Sequence, residues 1–174
     1  NDEFLKSIDS NYEFSNKPIR RLKKSQQPGE IKLQLENLKK QIAEIDACDL
    51  KNHANQLVFS DGNFRSKIML VGEGPGQKED EIGKPFMGDA GKLLNKMLAA
   101  IDIKRESIYI TNVVNYRPPN NRKPTTAEIN KYSKFLYEHI SIINPKILLI
   151  MGSTAMEALI GNNFKISKER GIWK

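Results

Sequence analysis

The chain has 174 residues, with 8 prolines, 11 glycines and one cysteine, the size of one ordinary domain. The single cysteine excludes a disulfide framework and any all-cysteine metal cluster within one chain. No apolar run approaches the roughly 20 residues of a membrane span, and the polar start Asn1-Asp2-Glu3 lacks a signal-peptide pattern; a cytoplasmic protein fits. Twenty-eight basic against 21 acidic residues give a net charge of +7, which suits a polyanionic partner or simply a lysine-rich solvated surface.

Residues 1–30 are polar and aperiodic and carry the basic cluster Lys17-Pro18-Ile19-Arg20-Arg21-Leu22-Lys23-Lys24. They read as a basic polar extension with little core of its own, either a nucleic-acid arm or a solvated tail. Residues 31–174 read as the folded domain. Ile31, Leu35, Leu38, Ile42 and Ile45 follow at steps of 4, 3, 4 and 3, one face of a helix. Ile68–Val71, Ile108–Val114 and Ile147–Met151 are short continuous apolar runs, as strands buried on both faces require. Between them lie two amphipathic patterns. One is Leu93, Leu94, Met97, Leu98 and Ile101; the other is Ile129, Tyr132, Leu136, Ile140 and Ile143, entered through the capping-box spelling Thr125-Thr126-Ala127-Glu128. A last helix from Ser153 to Ile160 stops at Gly161. Strand and helix alternate, which predicts a three-layer α/β/α domain around a short parallel sheet. Ligands then bind beyond the carboxyl ends of the strands.

Those ends carry the chemistry. Gly72-Glu73-Gly74-Pro75-Gly76 forms a tight loop whose backbone can approach a ligand closely. Gln77 stands where a dinucleotide fingerprint needs its third glycine, and no Walker G-K-[ST] follows. With Glu73, Glu79, Asp80 and Glu81 nearby, the loop suits a neutral or cation-like group, or is an ordinary turn with solvated acids. Phe86 sits in a Gly/Pro-flanked loop, where it either stacks on a base or plugs the core. Asn112 ends the second run. A strand asparagine must have its amide paired, either within the core or by the edge of a pyrimidine. The segment Arg117-Pro118-Pro119-Asn120-Asn121-Arg122-Lys123 is basic and proline-stiffened, and together with the amides at Ser153 it offers phosphate contacts.

In order, these motifs resemble a family-four uracil-DNA glycosylase. They are Gly72-Glu73-Gly74-Pro75-Gly76-x-x-Glu79-Asp80, then Gly83-x-Pro85-Phe86-x-Gly88-x-Ala90-Gly91-x-Leu93-Leu94, then Ile110-Thr111-Asn112-Val113-Val114-x-x-Arg117-Pro118-Pro119-x-x-Arg122 with Pro124-Thr125. Gly152-Ser153-x-Ala155 and Ile166-Ser167-x-x-Arg170-Gly171 continue the likeness, which covers about residues 45–174. The resemblance implies base-excision repair: uracil flips out of DNA and its N-glycosidic bond is hydrolysed. It implies that Phe86 stacks on uracil, Asn112 reads its edge and excludes cytosine, Glu73, Gly74, Pro75 and Gly76 line the pocket, and Glu73, Glu79 and Asn112 are the catalytic candidates. Glu79 would position water or stabilise the cation-like sugar. It implies a monomer acting on uracil-containing DNA away from membranes, without a Schiff-base lysine.

Two departures stand out. The family holds a four-iron cluster on four cysteines, and the matching positions here are Ile45, Cys48, Tyr116 and Tyr132. One thiolate cannot hold such a cluster, so no cofactor is expected, and the aromatic pair would fill the space. The family also carries a His-Pro-[Ser/Ala] motif on a further strand; this chain stops at Lys174 before any match, and His53 and His139 do not fit it. The final strand is therefore expected to be missing. A catalytically impaired DNA-binding module on the same fold is the first alternative, and a nucleotide-binding α/β protein the second.

Overall fold

The computed structural model describes residues 27–161 and 163–173. The basic cluster Lys17–Lys24, and most of the expected extension, lie outside them.

All three apolar runs become strands: β2 (Ile68–Gly72), β3 (Tyr109–Asn112) and β4 (Ile147–Ile150). A two-residue strand, β1 (Asp61–Gly62), was not expected. The sheet order is β1-β3-β2-β4; β2 pairs parallel with both β3 and β4, and β1 pairs antiparallel with β3. The expected parallel sheet is therefore mixed at one edge.

Side-chain alternation along the strands sorts the core into two layers. Met69, Val71 and Tyr109 face one side, where they pack with Leu35, Leu38 and Ile42 of α1 (Pro28–Ala43) and Ile129, Tyr132 and Leu136 of α5 (Thr126–Ile143). Leu70, Ile108 and Ile110 face the other, against Leu94 and Leu98 of α4 (Asp89–Ala99). The α/β/α layering follows directly from this split. Among the described residues the shorter α-helices are α2 (Asp49–His53), α3 (Gln77–Ile82), α6 (Ser153–Ile160) and α7 (Ile166–Glu169).

Several expectations are corrected at this level. The first helix begins at Pro28, so residues 28–30 belong to it rather than to the extension; proline suits a first helical turn, where its missing N–H is not needed. Only Leu94 and Leu98 of the α4 pattern face the core; Leu93, Met97 and Ile101 are 59%, 53% and 64% exposed. Two residues per two turns suffice where the helix covers a single narrow strip of sheet. The capping box at the start of α5 forms in both directions: Glu128 N–H donates to Thr125 Oγ1 at 3.2 Å, and Thr125 N–H donates to Glu128 Oε2 at 2.7 Å. Helix α6 ends at Gly161, whose φ of +109° favours glycine.

A buried aromatic knot joins α5 to the sheet. His139 stacks on Phe59 with ring centroids 4.6 Å apart and shares a 2.6 Å hydrogen bond with the Tyr109 hydroxyl. Desolvation holds the imidazole far below its usual pKa, at about 3, so it is neutral at physiological pH and serves packing.

Ile45, Cys48, Tyr116 and Tyr132 all join the same buried cluster. Cys48 Sγ lies 3.2 Å from the Tyr132 hydroxyl. Burial, and then the neighbouring thiol, raise the Tyr132 phenol well above the ordinary tyrosine range. This is a dry, self-satisfied contact between side chains. Its donor set of one thiol, two phenols and an isoleucine does not fit a four-iron cluster, which needs four thiolates.

Candidate uracil-recognition site

The carboxyl ends of β2 and β3 lie side by side, with Gly72 directly paired to Asn112. Pairing continues past the strands, since Val113 N–H donates to Gly72 O at 2.9 Å and Val114 N–H to Glu73 O at 3.2 Å. This fixes the Gly72–Gly74 loop against the Asn112–Val114 segment. A methyl group at position 72 would lie 2.6 Å from Asn112 Oδ1 and 2.6 Å from two ring carbons of Phe86. Gly72 thus marks the point where the Asn112 amide and the Phe86 ring meet. At position 74 a methyl would strike Val114 Cγ2 at 2.7 Å, so glycine is required there for close packing of the two segments. Pro75 is buried beneath the loop, and Gly74 and Gly76 are half-buried.

Asn112 is 3% exposed, and its Nδ2 has no hydrogen-bond partner. Leaving a buried amide donor unpaired costs about 1–3 kcal/mol, and unpaired groups of this kind mark places where something else binds. The contrast with Asn115 is instructive. Asn115, three residues on and equally buried, donates from Nδ2 to Val58 O at 3.1 Å and is satisfied within the core.

Phe86 has a φ of +54°. For a residue other than glycine this left-handed conformation costs roughly 1–2 kcal/mol, and it persists because the loop is held from outside. Glu79 supplies much of that hold. Its Oε1 accepts from Met87 N–H and Gly88 N–H, both at 2.7 Å, and its Oε2 accepts from Gly76 N–H at 3.0 Å. The carboxylate therefore ties the β2 loop to the Phe86 loop. Glu79 is expected from the sequence to position water or stabilise the sugar; in the structure both its oxygens accept from backbone amides and the residue is buried. Asp80 is likewise internal, accepting from Asn55 N–H and Asn55 Nδ2, each at 2.9 Å. Neither was readable as a buried anchor, because the amides come from other segments. The usable signal is local: Glu79 is the third residue of α3, where a glutamate reaches back to the amide before the helix.

Glu73 is the site carboxylate that stays exposed. Its Oε2 accepts a hydrogen bond from the Thr154 hydroxyl. Thr154 is fully buried in the first turn of α6, so the helix that follows β4 aims the Glu73 side chain. Ser153, also at the start of that helix, is exposed.

The basic segment is more engaged than expected. Arg117 Nε donates to Asn121 Oδ1 at 2.7 Å, bracing a turn in which Asn120 and Asn121 both have positive φ. A cavity of about 260 Å³ lies against His53, Arg117, Pro118, Pro119 and Asn120. Arg122 forks onto Glu128 with contacts of 2.8 and 2.7 Å. The Arg122 hydrogen bonds outweigh burial and hold the Glu128 carboxyl at about 2. Lys123 lies 3.4 Å from Glu157. Of the cations expected to meet phosphate, Arg117 lines an open cavity, whereas Arg122 and Lys123 each already hold a carboxylate.

Comparison with known proteins agrees with this geometry. Residues 59–174 match the family described as the Uracil DNA glycosylase superfamily. A type-4 uracil-DNA glycosylase of Thermotoga maritima is 41% identical over 138 residues, 79% of this chain and 72% of that protein. One from Archaeoglobus fulgidus is 42% identical over 123 residues, 71% of this chain but 62% of its own length. A DNA polymerase of Bacillus phage SP01 is 34% identical over 111 residues, only 12% of that much longer protein. The matched segment contains Gly72, Glu73, Phe86, Asn112 and Thr154, and the chain belongs to the Uracil DNA glycosylase superfamily.

Proposed function

We propose that this chain removes uracil from DNA by hydrolysing the N-glycosidic bond of a flipped deoxyuridine. The observation that carries the reading is the buried, unpartnered Asn112 Nδ2 beside the Phe86 ring. Uracil supplies what that amide lacks. Its O4 accepts from Nδ2 while its N3–H donates to Oδ1; cytosine presents a donor and an acceptor in the reverse order. Phe86 stacks on the base, and the loop Gly74-Pro75-Gly76 closes the wall. A base inside a duplex is unreachable by such a pocket, so the nucleotide must be extruded.

Glu73 is the carboxylate left to act on the sugar. As the N1–C1′ bond breaks, its electron pair leaves with uracil and the sugar becomes oxocarbenium-like. Glu73 stabilises that positive charge, and takes up the proton when water bonds to C1′. Arg117, which lines an open cavity, would receive backbone phosphates together with the amides at Ser153; Arg122 and Lys123 would join only by sharing or releasing their carboxylates. We further propose that the protein works as a monomer without an iron-sulfur cluster, since Ile45, Tyr116 and Tyr132 stand where thiolates would be needed. Purified protein should be colourless, with iron far below one atom per chain by metal analysis; a brown protein with about four irons would overturn that. Among the described residues no helix is long and apolar enough to cross a membrane.

The test is release of uracil from a labelled strand, scored as alkali-sensitive breaks, for wild type and Asn112→Asp. Wild type should cleave at uracil and spare cytosine. In Asn112→Asp the carboxylate cannot donate to O4 but accepts from the cytosine amine, so the uracil-to-cytosine preference should fall by at least about 10-fold, the worth of one well-made hydrogen bond to a base. A folded wild-type protein that binds DNA and releases no uracil would instead be the DNA-binding module.

A further inference from the structure

Arg105 lies in a short turn just before β3 and has no part in the chemistry described above. Its side chain is 17% exposed, and its guanidinium bonds into the Phe86 loop. Nη2 donates to Pro85 O at 2.7 Å, and Nη1 donates to Phe86 O at 3.1 Å and to Asn95 Oδ1 at 3.2 Å. Nε donates to Asp61 Oδ2 at 3.0 Å. One side chain therefore joins β1, the first turns of α4 and two consecutive carbonyls of the loop. Asp61 is also held by Lys84 at 3.3 Å.

The 86–87 peptide, whose carbonyl Arg105 takes, is held at its N–H by the Glu79 carboxylate, which also takes the N–H of the 87–88 peptide. The left-handed Phe86 is thus flanked by a cation taking the carbonyls of residues 85 and 86 and a carboxylate taking the amides of residues 87 and 88. Gly91 completes the fit: a methyl there would lie 1.8 Å from Phe86 O, so the first turn of α4 has room for that carbonyl only with glycine. A planar fork with five N–H groups suits two divergent carbonyls and a carboxylate together, and a lysine cannot reproduce it.

We propose that Arg105, anchored by Asp61, is a positioning residue that locks the Phe86 ring in its base-stacking orientation. The inference rests on the glycosylase reading, because a base platform needs a base. Uracil gains from a platform already set, since no loop ordering is then lost on binding. Arg105 acts through Phe86 and reaches neither the base nor the sugar.

The test compares wild type, Arg105→Lys and Asp61→Asn, each checked for folding by thermal unfolding. The first readout is hydrogen exchange of the Met87 and Gly88 amides in the free protein. The second is affinity for a single strand holding one 2′-fluorinated deoxyuridine, which resists hydrolysis, against the same strand with an abasic tetrahydrofuran there. In Arg105→Lys the two amides should exchange faster. Affinity for the uracil strand should fall about 10-fold, within the range set by one base–aromatic stack, while abasic affinity stays unchanged. Asp61→Asn, which keeps an acceptor, should fall between. Equal weakening on both strands, or unchanged exchange and unchanged uracil preference in Arg105→Lys, overturns the positioning role. A wild type with no preference for the uracil strand instead sinks the glycosylase reading itself, and the platform role with it.

Discussion

Replacing Gly72 by alanine is expected to abolish uracil release while leaving the fold standing. Gly72 ends β2, and its φ lies outside the left-handed region, so alanine suits the backbone. The added methyl would meet the Phe86 ring and the Asn112 amide, both at 2.6 Å. The strand cannot move, because Gly72 pairs with Asn112 and Val71 with both neighbouring strands. The two side chains must yield, and on the proposed reading they are the groups that meet the base. A displacement of about 1 Å in a positioned group costs about 10²-fold in rate, so single-turnover uracil release should fall at least that far. Affinity for a strand without uracil should stay within about threefold, since a uracil-free strand is held by phosphate contacts. Gly91→Ala is the contrasting case: its methyl would strike the Phe86 carbonyl itself, a backbone atom, and should lower thermal stability as well. If Gly72→Ala releases uracil at the wild-type rate, the Asn112–Phe86 junction is not the base site.

The scaffold of this site was legible because its strands are buried on both faces. Continuous apolar runs at Ile68, Ile108 and Ile147 have few other uses in a chain this short, and the glycine-rich loop after the first run fell where such sheets bind ligands. β1 was invisible for the opposite reason: Asp61-Gly62 is polar, two residues long, and offers no apolar side chain to mark it as a strand. The α4 pattern overcounted core residues, because periodicity reports a face without saying how much of it is covered. Asn112 and Phe86 could be singled out as unusual residues in their local setting. What holds them could not. The partners of Glu79 come from residues 76, 87 and 88, and those of Arg105 from residues 61, 85, 86 and 95. Both depend on backbone polar groups that only tertiary structure brings to them.

The same principle changes how Arg122 should be read. Its fork onto Glu128 supports the capping box of α5. An Arg122→Ala variant would therefore alter helix stability as well as charge, and its salt dependence alone would not report a phosphate contact. Arg117 gives the cleaner measurement, since its partner is the neutral Asn121 and its cavity is open.

Glu73 and Glu79 stand six residues apart, the first in the loop after β2 and the second in α3, and should respond differently to the same substitution. Glu73 is exposed and held by one hydroxyl. In Glu73→Gln the amide oxygen still accepts from Thr154, so orientation survives while the negative charge is lost. Substrate binding should change little, and single-turnover cleavage should fall about 10²–10³-fold, the usual effect of removing one group that meets charge developing in the transition state. Glu79→Gln keeps size but puts an NH2 group against a backbone N–H, leaving at least one donor without an acceptor. That costs about 1–3 kcal/mol of stability and loosens the Phe86 loop, so binding and cleavage should weaken together. The pair of variants separates a carboxylate that works on the sugar from one that shapes the pocket. Were Glu79→Gln to lose cleavage at unchanged stability and binding, with Glu73→Gln remaining active, the two roles would have to be exchanged.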